Sequence, residues 1–277
     1  MNEIAAEWAG EKGRFWAEHA DWFSTLFHEF ETALVSGAAF AAGERVLDVG
    51  CGGGDVALAA AEAVGPTGSV LGVDLSADEL DVARVRAAQR GLDNVEFREA
   101  DAGEDDLGPE PVDVICSRFG VMFFSDPVAA FTHLRAAARP DGRLAFACWQ
   151  SVDDNEWMTV PGRAIDAVLP LSPPPPPGSP GGFAFSDPDH VRGILGDAGF
   201  TYVALEDVRR TIHLGSSLDQ ALGFIQRMDY ARAVLDPAPP EVAADAIDRV
   251  RRALADHAGP DGGVDLPGRV WLVRART

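Results

Sequence analysis

Asp48 and the glycines at 50, 52 and 54 are the residues whose types and spacing could do chemistry in this chain. Arg45-Val46-Leu47-Asp48-Val49 reads as a short buried strand. Gly50-Cys51-Gly52-Gly53-Gly54-Asp55 then reads as a glycine-rich turn, and Val56 to Val64 as a helix rich in Ala and Leu. Glycine lets the backbone turn sharply and approach a ligand closely, because no Cβ intervenes. Such a loop at the carboxyl end of a strand is where open α/β sheets bind ligands. A dinucleotide reading requires G-x-G-x-x-G/A, with a pyrophosphate on the helix N-terminus. Counted from Gly50, its third position is Asp55, which fails; counted from Gly52, Gly54 and Ala57 complete a weak match. Asp48 argues against a pyrophosphate, because a carboxylate two residues before the first glycine would repel it, whereas it suits a ligand with a positive end. A second acid, Asp74, ends the next strand, Val70 to Ser76, 20 residues after Gly54. There it can accept both hydroxyls of a ribose, a feature shared by more than one class of nucleoside cofactor.

Asp48-x-Gly50-x-Gly52-x-Gly54 resembles the first motif of class I S-adenosylmethionine (SAM) methyltransferases, and further landmarks follow in order. Asp101 comes just after a strand at Asn94 to Arg98. Ser117-Arg118-Phe119-Gly120-Val121-Met122-Phe123 ends a strand that begins at Val112, and it resembles the small-molecule type rather than the Asn/Asp-Pro-Pro-Tyr/Phe type. Arg139-Pro140-Asp141-Gly142 forms a turn before a strand at Leu144 to Trp149. The resemblance covers roughly residues 40 to 150. A weaker similarity, to ubiquinone-biosynthesis and secondary-metabolite methyltransferases, runs on to the C-terminus. It implies SAM as cofactor and S-adenosylhomocysteine as product. It also implies that Asp48, Gly50, Cys51, Gly52 and Asp55 serve the amino-acid end, and Asp74 with Leu75 the ribose. Asp101 with Ala102 would serve the adenine, and Ser117, Arg118 and Phe119 the region of the methyl group. Trp22, Phe23, Met122, Trp149 and Trp157 would line a substrate pocket for O-, N- or C-methylation in bacterial secondary or quinone-like metabolism. Two other readings stay open: an NAD-binding oxidoreductase, and a SAM-binding protein that does not methylate.

A methyl group on a sulfonium already has a good leaving group, so catalysis can come from alignment and exclusion of water. A base is needed only where the acceptor has a proton to lose. None of the histidines (His19, His28, His133, His190, His213, His257) shows metal spacing, so no metal is expected. His19 is only a weak candidate base, and Asp126 and Glu156 are weaker candidates for orienting a substrate. An aromatic-lined pocket without a base would suit an apolar acceptor, including carbon methylation with Trp and Phe faces stabilising positive charge.

The elements that must position these residues form an α/β pattern. We expect a doubly wound, seven-stranded, mostly parallel sheet with an N-terminal helical lid and helical cap insertions. Residues 1–42 would be the lid, 43–150 the SAM-binding core, and 151–277 the rest of the sheet, with caps at 151–182 and 216–260. Residues 13 to 40 read as one helix with Phe15, Trp16, His19, Trp22, Phe23, Leu26, Phe27 and Phe30 on one stripe. That stripe could pack on the sheet, close as a lid, or join a second copy as a homo-oligomer. Ser76 is a helix N-cap with Glu79 as its capping-box partner. Helices are expected from Asp126 to Ala138, Asn155 to Val168, Pro188 to Gly199, Leu218 to Leu235 and Glu241 to His257. Strands are expected at Tyr202 to Leu214 and Trp271 to Val273. The five prolines at 173–177 read as an exposed, polyproline-like or mobile connection, not as a domain boundary.

Composition excludes several partners. Among 277 residues, 44 acids face 23 bases, a net charge of −21, which should repel nucleic acid and anionic membranes. Lys12 is the sole lysine. The N-terminus has no signal-peptide pattern, and no apolar run approaches the ~20 residues of a membrane span. Cys51, Cys116 and Cys148 fall in or beside core strands without metal spacing, which reads as a reduced, cytoplasmic protein.

Overall fold

The computed structural model describes residues 3–172 and 178–277, so the proline run at 173–177 lies outside the described residues. Two compact units are present. The first comprises Met1–Trp149, Gly178–Val208 and Val270–Thr277; the second comprises Gln150–Pro177 and Arg209–Arg269.

The first unit starts with α1 (Glu3–Trp8), α2 (Glu11–Glu18) and α3 (Ala20–Ala38). It continues through β1 (Arg45–Val49), α4 (Asp55–Val64), β2 (Ser69–Asp74), α5 (Ala77–Arg90), β3 (Val95–Glu99), β4 (Val112–Arg118), α6 (Pro127–Ala137) and β5 (Ala138–Trp149). Later come α8 (Pro188–Asp197), the part of β6 (Thr201–Gly215) up to Val208 and the part of β7 (Val264–Arg276) from Val270, the rest of both strands belonging to the second unit. The second unit holds α7 (Glu156–Asp166), α9 (Leu218–Arg227), α10 (Asp229–Leu235) and α11 (Pro240–Ala255).

Seven strands form one sheet in the order β3-β2-β1-β4-β5-β7-β6. The β1–β2, β2–β3, β1–β4 and β4–β5 pairs are parallel, and β7 runs antiparallel to β5. Central β1 is buried from Val46 to Val49, as expected for a parallel strand covered on both faces. Strand order reverses between β1 and β4, and the crevice outside their carboxyl ends is where such sheets take ligands. The expected seven-stranded, mostly parallel α/β sheet is therefore present.

Several local expectations need correction. The single helix over 13–40 is two helices joined at His19, whose φ of −116° and ψ of 17° are not helical. The aromatic stripe of α3 is buried in its own unit: Phe23, Leu26 and Phe27 are 3% exposed and Phe30 1%. The helix over 218–235 breaks at Met228, where ψ is 138°. The turn at 139–143 is a bulge inside β5: Val112 pairs with Ala138 but Val114 with Arg143, and Asp141 takes a φ of 63°. β7 is far longer than Trp271 to Val273 because its burial alternates from Val264 onward.

In the second unit Asn155 is fully buried. Its amide donates to Ser151 O (2.9 Å) and Arg269 O (3.3 Å), while its Oδ1 accepts from Arg269 N (2.9 Å) and Trp157 Nε1 (3.2 Å). One side chain thus ties the two segments of that unit together. No described helix is long and apolar enough to cross a membrane.

Candidate active site

The β1–α4 loop is shaped by three left-handed glycines, with φ of 64° at Gly50, 51° at Gly52 and 89° at Gly54. Only glycine takes these angles without strain. Space requires it as well: a Cβ on Gly50 would lie 2.8 Å from Gly120 Cα, and one on Gly52 2.9 Å from Glu79 Oε1. The loop is pinned to β2 by Cys51 N–H donating to Val73 O (3.0 Å) and Gly52 N–H donating to Asp74 Oδ2 (2.8 Å).

Asp48 lies below this loop at 1% exposure. The Cys116 thiol donates weakly to its Oδ1 at 3.7 Å, while its buried Oδ2 has no partner among the described residues. Burial pushes its carboxyl up to about 8, against the opposing pull of Arg118. A buried carboxylate with an unsatisfied oxygen is costly unless something donates to it. Asp74 also titrates above its ordinary value because of burial, although Ser76 N–H (2.9 Å) and Gly52 N–H hydrogen-bond it. Asp101, after β3, accepts from Gly103 N–H through Oδ1 (2.9 Å). Leu75 follows Asp74 half-buried, and Ala102 is buried beside Asp101.

Asp55, expected at the cofactor, is instead saturated by protein. The Ser24 hydroxyl donates to it, 2.7 Å from Oδ1 and 2.9 Å from Oδ2. Arg86 Nη1 donates to Oδ1 (3.1 Å) and Arg118 Nη2 to Oδ2 (2.6 Å). Burial alone would raise this carboxyl, but the Arg118 charge and the Ser24 hydroxyl more than offset it, so it titrates below its ordinary value. The same two guanidiniums reach α3: Arg86 meets Asp21 (2.6 Å) and Gly53 O (2.9 Å), and Arg118 meets Glu31 (3.3 Å). Asp55 therefore fastens the loop to the N-terminal helices. Ser117 also departs from expectation. It is fully buried, donates to Val49 O (2.7 Å), and accepts from Gly120 N–H and Val121 N–H. Burial between β1 and the following turn makes it a fastening, not a cleft group.

Phe119 takes a φ of 69° and stacks on Trp149, with centroids 4.4 Å apart and planes 8° from parallel. Phe27 and Phe30 meet that pair edge-on at 5.3–6.3 Å. Phe23 of α3 stacks on Trp16 at 3.8 Å and touches Trp22 at 5.4 Å. Met122 is buried, and its sulfur accepts from Trp149 N–H at 3.4 Å. Lys12 Nζ lies 4.6 Å from the Trp8 ring and 5.2 Å from that of Phe123. Trp157 belongs to the second unit, stacked on Phe224 at 6.3 Å. His19 Nδ1 lies 2.8 Å from Phe15 O at the α2–α3 joint.

Four groups escaped sequence reasoning as parts of this site: Ser24, Glu31, Glu79 and Arg86. Only Glu79 left a signal, as a capping-box partner. The box is half made, because Ser76 Oγ accepts from Glu79 N–H (3.2 Å) while Ser76 N–H goes to Asp74.

The residues present fit a cationic nucleoside. The loop leaves no room for side chains, an orphaned acid oxygen lies beneath it, and the nearby guanidiniums are already committed to protein carboxylates. Residues 40–171 match a family described as a methyltransferase domain. The chain is similar to nocamycin O-methyltransferase of Saccharothrix syringae, 29% identical over 78% of this chain and 79% of that protein. It is also similar to the aklanonic acid methyltransferase DauC of Streptomyces sp. strain C5, 36% identical over 38% of this chain and 47% of that one. In three dimensions it resembles the YcgJ protein of Bacillus subtilis, with a TM-score of 0.60 at 18% identity over 90% and 98% of the two chains.

Proposed function

We propose that residues 40–171, which match a methyltransferase domain, form a class I domain with SAM as cofactor, and that the chain methylates a small organic acceptor of secondary or quinone-like metabolism. SAM supplies an activated methyl group on a sulfonium. Asp48 and the loop from Gly50 to Gly54 would hold its amino-acid end, Asp74 its ribose and Asp101 its adenine. The single observation that carries this reading is the buried, unpartnered Oδ2 of Asp48 beneath a loop only glycine can form.

Phe119, Trp149, Phe27 and Phe30 would exclude water from the cleft and present ring faces and edges to an apolar acceptor. In this reading α1–α3 act as a lid, latched through Asp21, Ser24 and Glu31. We assign no general base, because His19 Nδ1 is engaged with the Phe15 carbonyl. The relatives named for nocamycin and aklanonic acid support a natural-product acceptor. The test is protection against thermal unfolding by SAM, S-adenosylhomocysteine and NAD, followed by methyl transfer from labelled SAM to quinone and polyketide acceptors. Protection by NAD alone would refute the cofactor reading. Protection by SAM without transfer to any acceptor would leave a SAM-binding protein.

A further inference from the structure

Glu79 has no part in the function proposed above, yet its placement is unusual. Because Asp74 Oδ1 takes the Ser76 N–H, the Glu79 side chain does not return to its own helix N-terminus. It turns to the glycine loop instead, where its Oε1 would lie 2.9 Å from a Cβ on Gly52. Glu79 is 6% exposed; its backbone N–H donates to Ser76 Oγ, and no described residue donates a hydrogen bond to its carboxylate. A buried carboxylate without donors is strongly disfavoured.

The groups that face it are Asp74 at the end of β2, Asp55 at the start of α4, Arg118 at the end of β4 and Arg86 of α5. Cys51 of the loop is also within its field. Neighbouring Asp78 pairs with Arg14 of α2 at 3.7 Å. Both nearby guanidiniums are bound to Asp55 and to α3. The orphaned Asp48 Oδ2 is a second, separate sign that the cleft lacks a donor or positive group.

We infer that Glu79 is a cofactor-binding acid: its carboxyl loses its proton to solvent as the cofactor seats, and the carboxylate so formed takes a donor or positive group of the cofactor. The inference rests on SAM being the ligand of this cleft. No covalent bond changes, and the proton passes to buffer. Burial first, and then the Asp74 charge, raise the Glu79 carboxyl well above its ordinary range in the free protein, so its uncharged form is favoured until a donor or positive group arrives.

The experiment is isothermal titration of the full chain with SAM, in buffers of different ionisation enthalpy, at pH 6 and 7. Wild type, Glu79→Gln, Glu79→Met and Asp48→Asn are compared. Wild type should release more protons on binding than either Glu79 variant, up to one more. Its affinity should rise with pH by up to about tenfold per unit more steeply than theirs, the limit for one linked proton. The Met variant keeps the volume without charge, so it serves if the Gln variant fails to fold. Equal proton counts in wild type and the Glu79 variants would overturn the inference while leaving SAM as the ligand. So would loss of the proton only in Asp48→Asn. No SAM binding by wild type would overturn the proposed function first, and this inference with it.

Discussion

Replacing Asp48 by Asn tests whether an ionisable group really lies buried below the glycine loop. In the fold this carboxyl titrates near 8 because it is shut away from water, whereas in the unfolded chain it titrates near ~3.9. Such a group favours folding fully below the lower value, where it is protonated in both states. Its contribution is lost as pH rises through the upper value, because the unfolded chain ionises first. Each pH unit between the two values costs about 1.4 kcal/mol. From pH 5 to 7 the wild type should therefore lose about 2.7 kcal/mol through this group alone, and Asp48→Asn should lose none of it. The other carboxyls are common to both proteins and cancel in the difference, as does any fixed offset from the amide's own hydrogen bonds. Urea unfolding of both proteins at pH 5, 6 and 7, without ligand, gives the slope of that difference. Some water reaching the group would reduce the slope, so ~1.3 kcal/mol over the interval is the least that sustains the argument. Parallel pH curves would refute it, and with it the claim that an orphaned acid waits there for a cationic ligand.

Asp74→Ala removes the acceptor of both Gly52 N–H and Ser76 N–H; SAM affinity measured by titration should fall roughly ten- to a hundredfold, and unchanged affinity would count against the ribose assignment. Gly50→Ala places a Cβ 2.8 Å from Gly120 Cα at a φ of 64°, so the melting temperature should drop by an amount equivalent to about 1–3 kcal/mol or more, with SAM binding lost. Arg118→Gln leaves Asp55 and Glu31 without this guanidinium, at a cost of about 3 kcal/mol. Amide exchange in α3 should accelerate while α8 stays as slow as in wild type; equal protection of α3 would refute the latch.

What the sequence made legible was local. A strand, an acid, a glycine turn and an Ala-rich helix are adjacent in the chain, so β1, the loop and α4 could be read directly. Ser76 could likewise be read as an N-cap. Pairings across distance could not. Nothing near Asp55 in the chain indicates that Ser24, Arg86 and Arg118 converge on it, so a saturated fastening looked like a ligand. Ser117 was misjudged for the same reason, because its hydroxyl answers to Val49 on another strand. The break at His19 was hidden by an uninterrupted aromatic spacing, and the reach of β7 by Pro267 and Gly268 inside it. Trp157 matched the aromatic character of a pocket, but its indole N–H serves the Asn155 tie.

One detail of the N-terminal helices has a practical corollary. The chain's sole lysine, Lys12, carries its ammonium over one ring from α1 and another from the turn after β4. Apart from a chain terminus, an amine-selective dye has this single address. Trp8 stands close enough to quench what is attached, so fluorescence from one labelled nitrogen would report when those helices peel away, with no engineered cysteine needed.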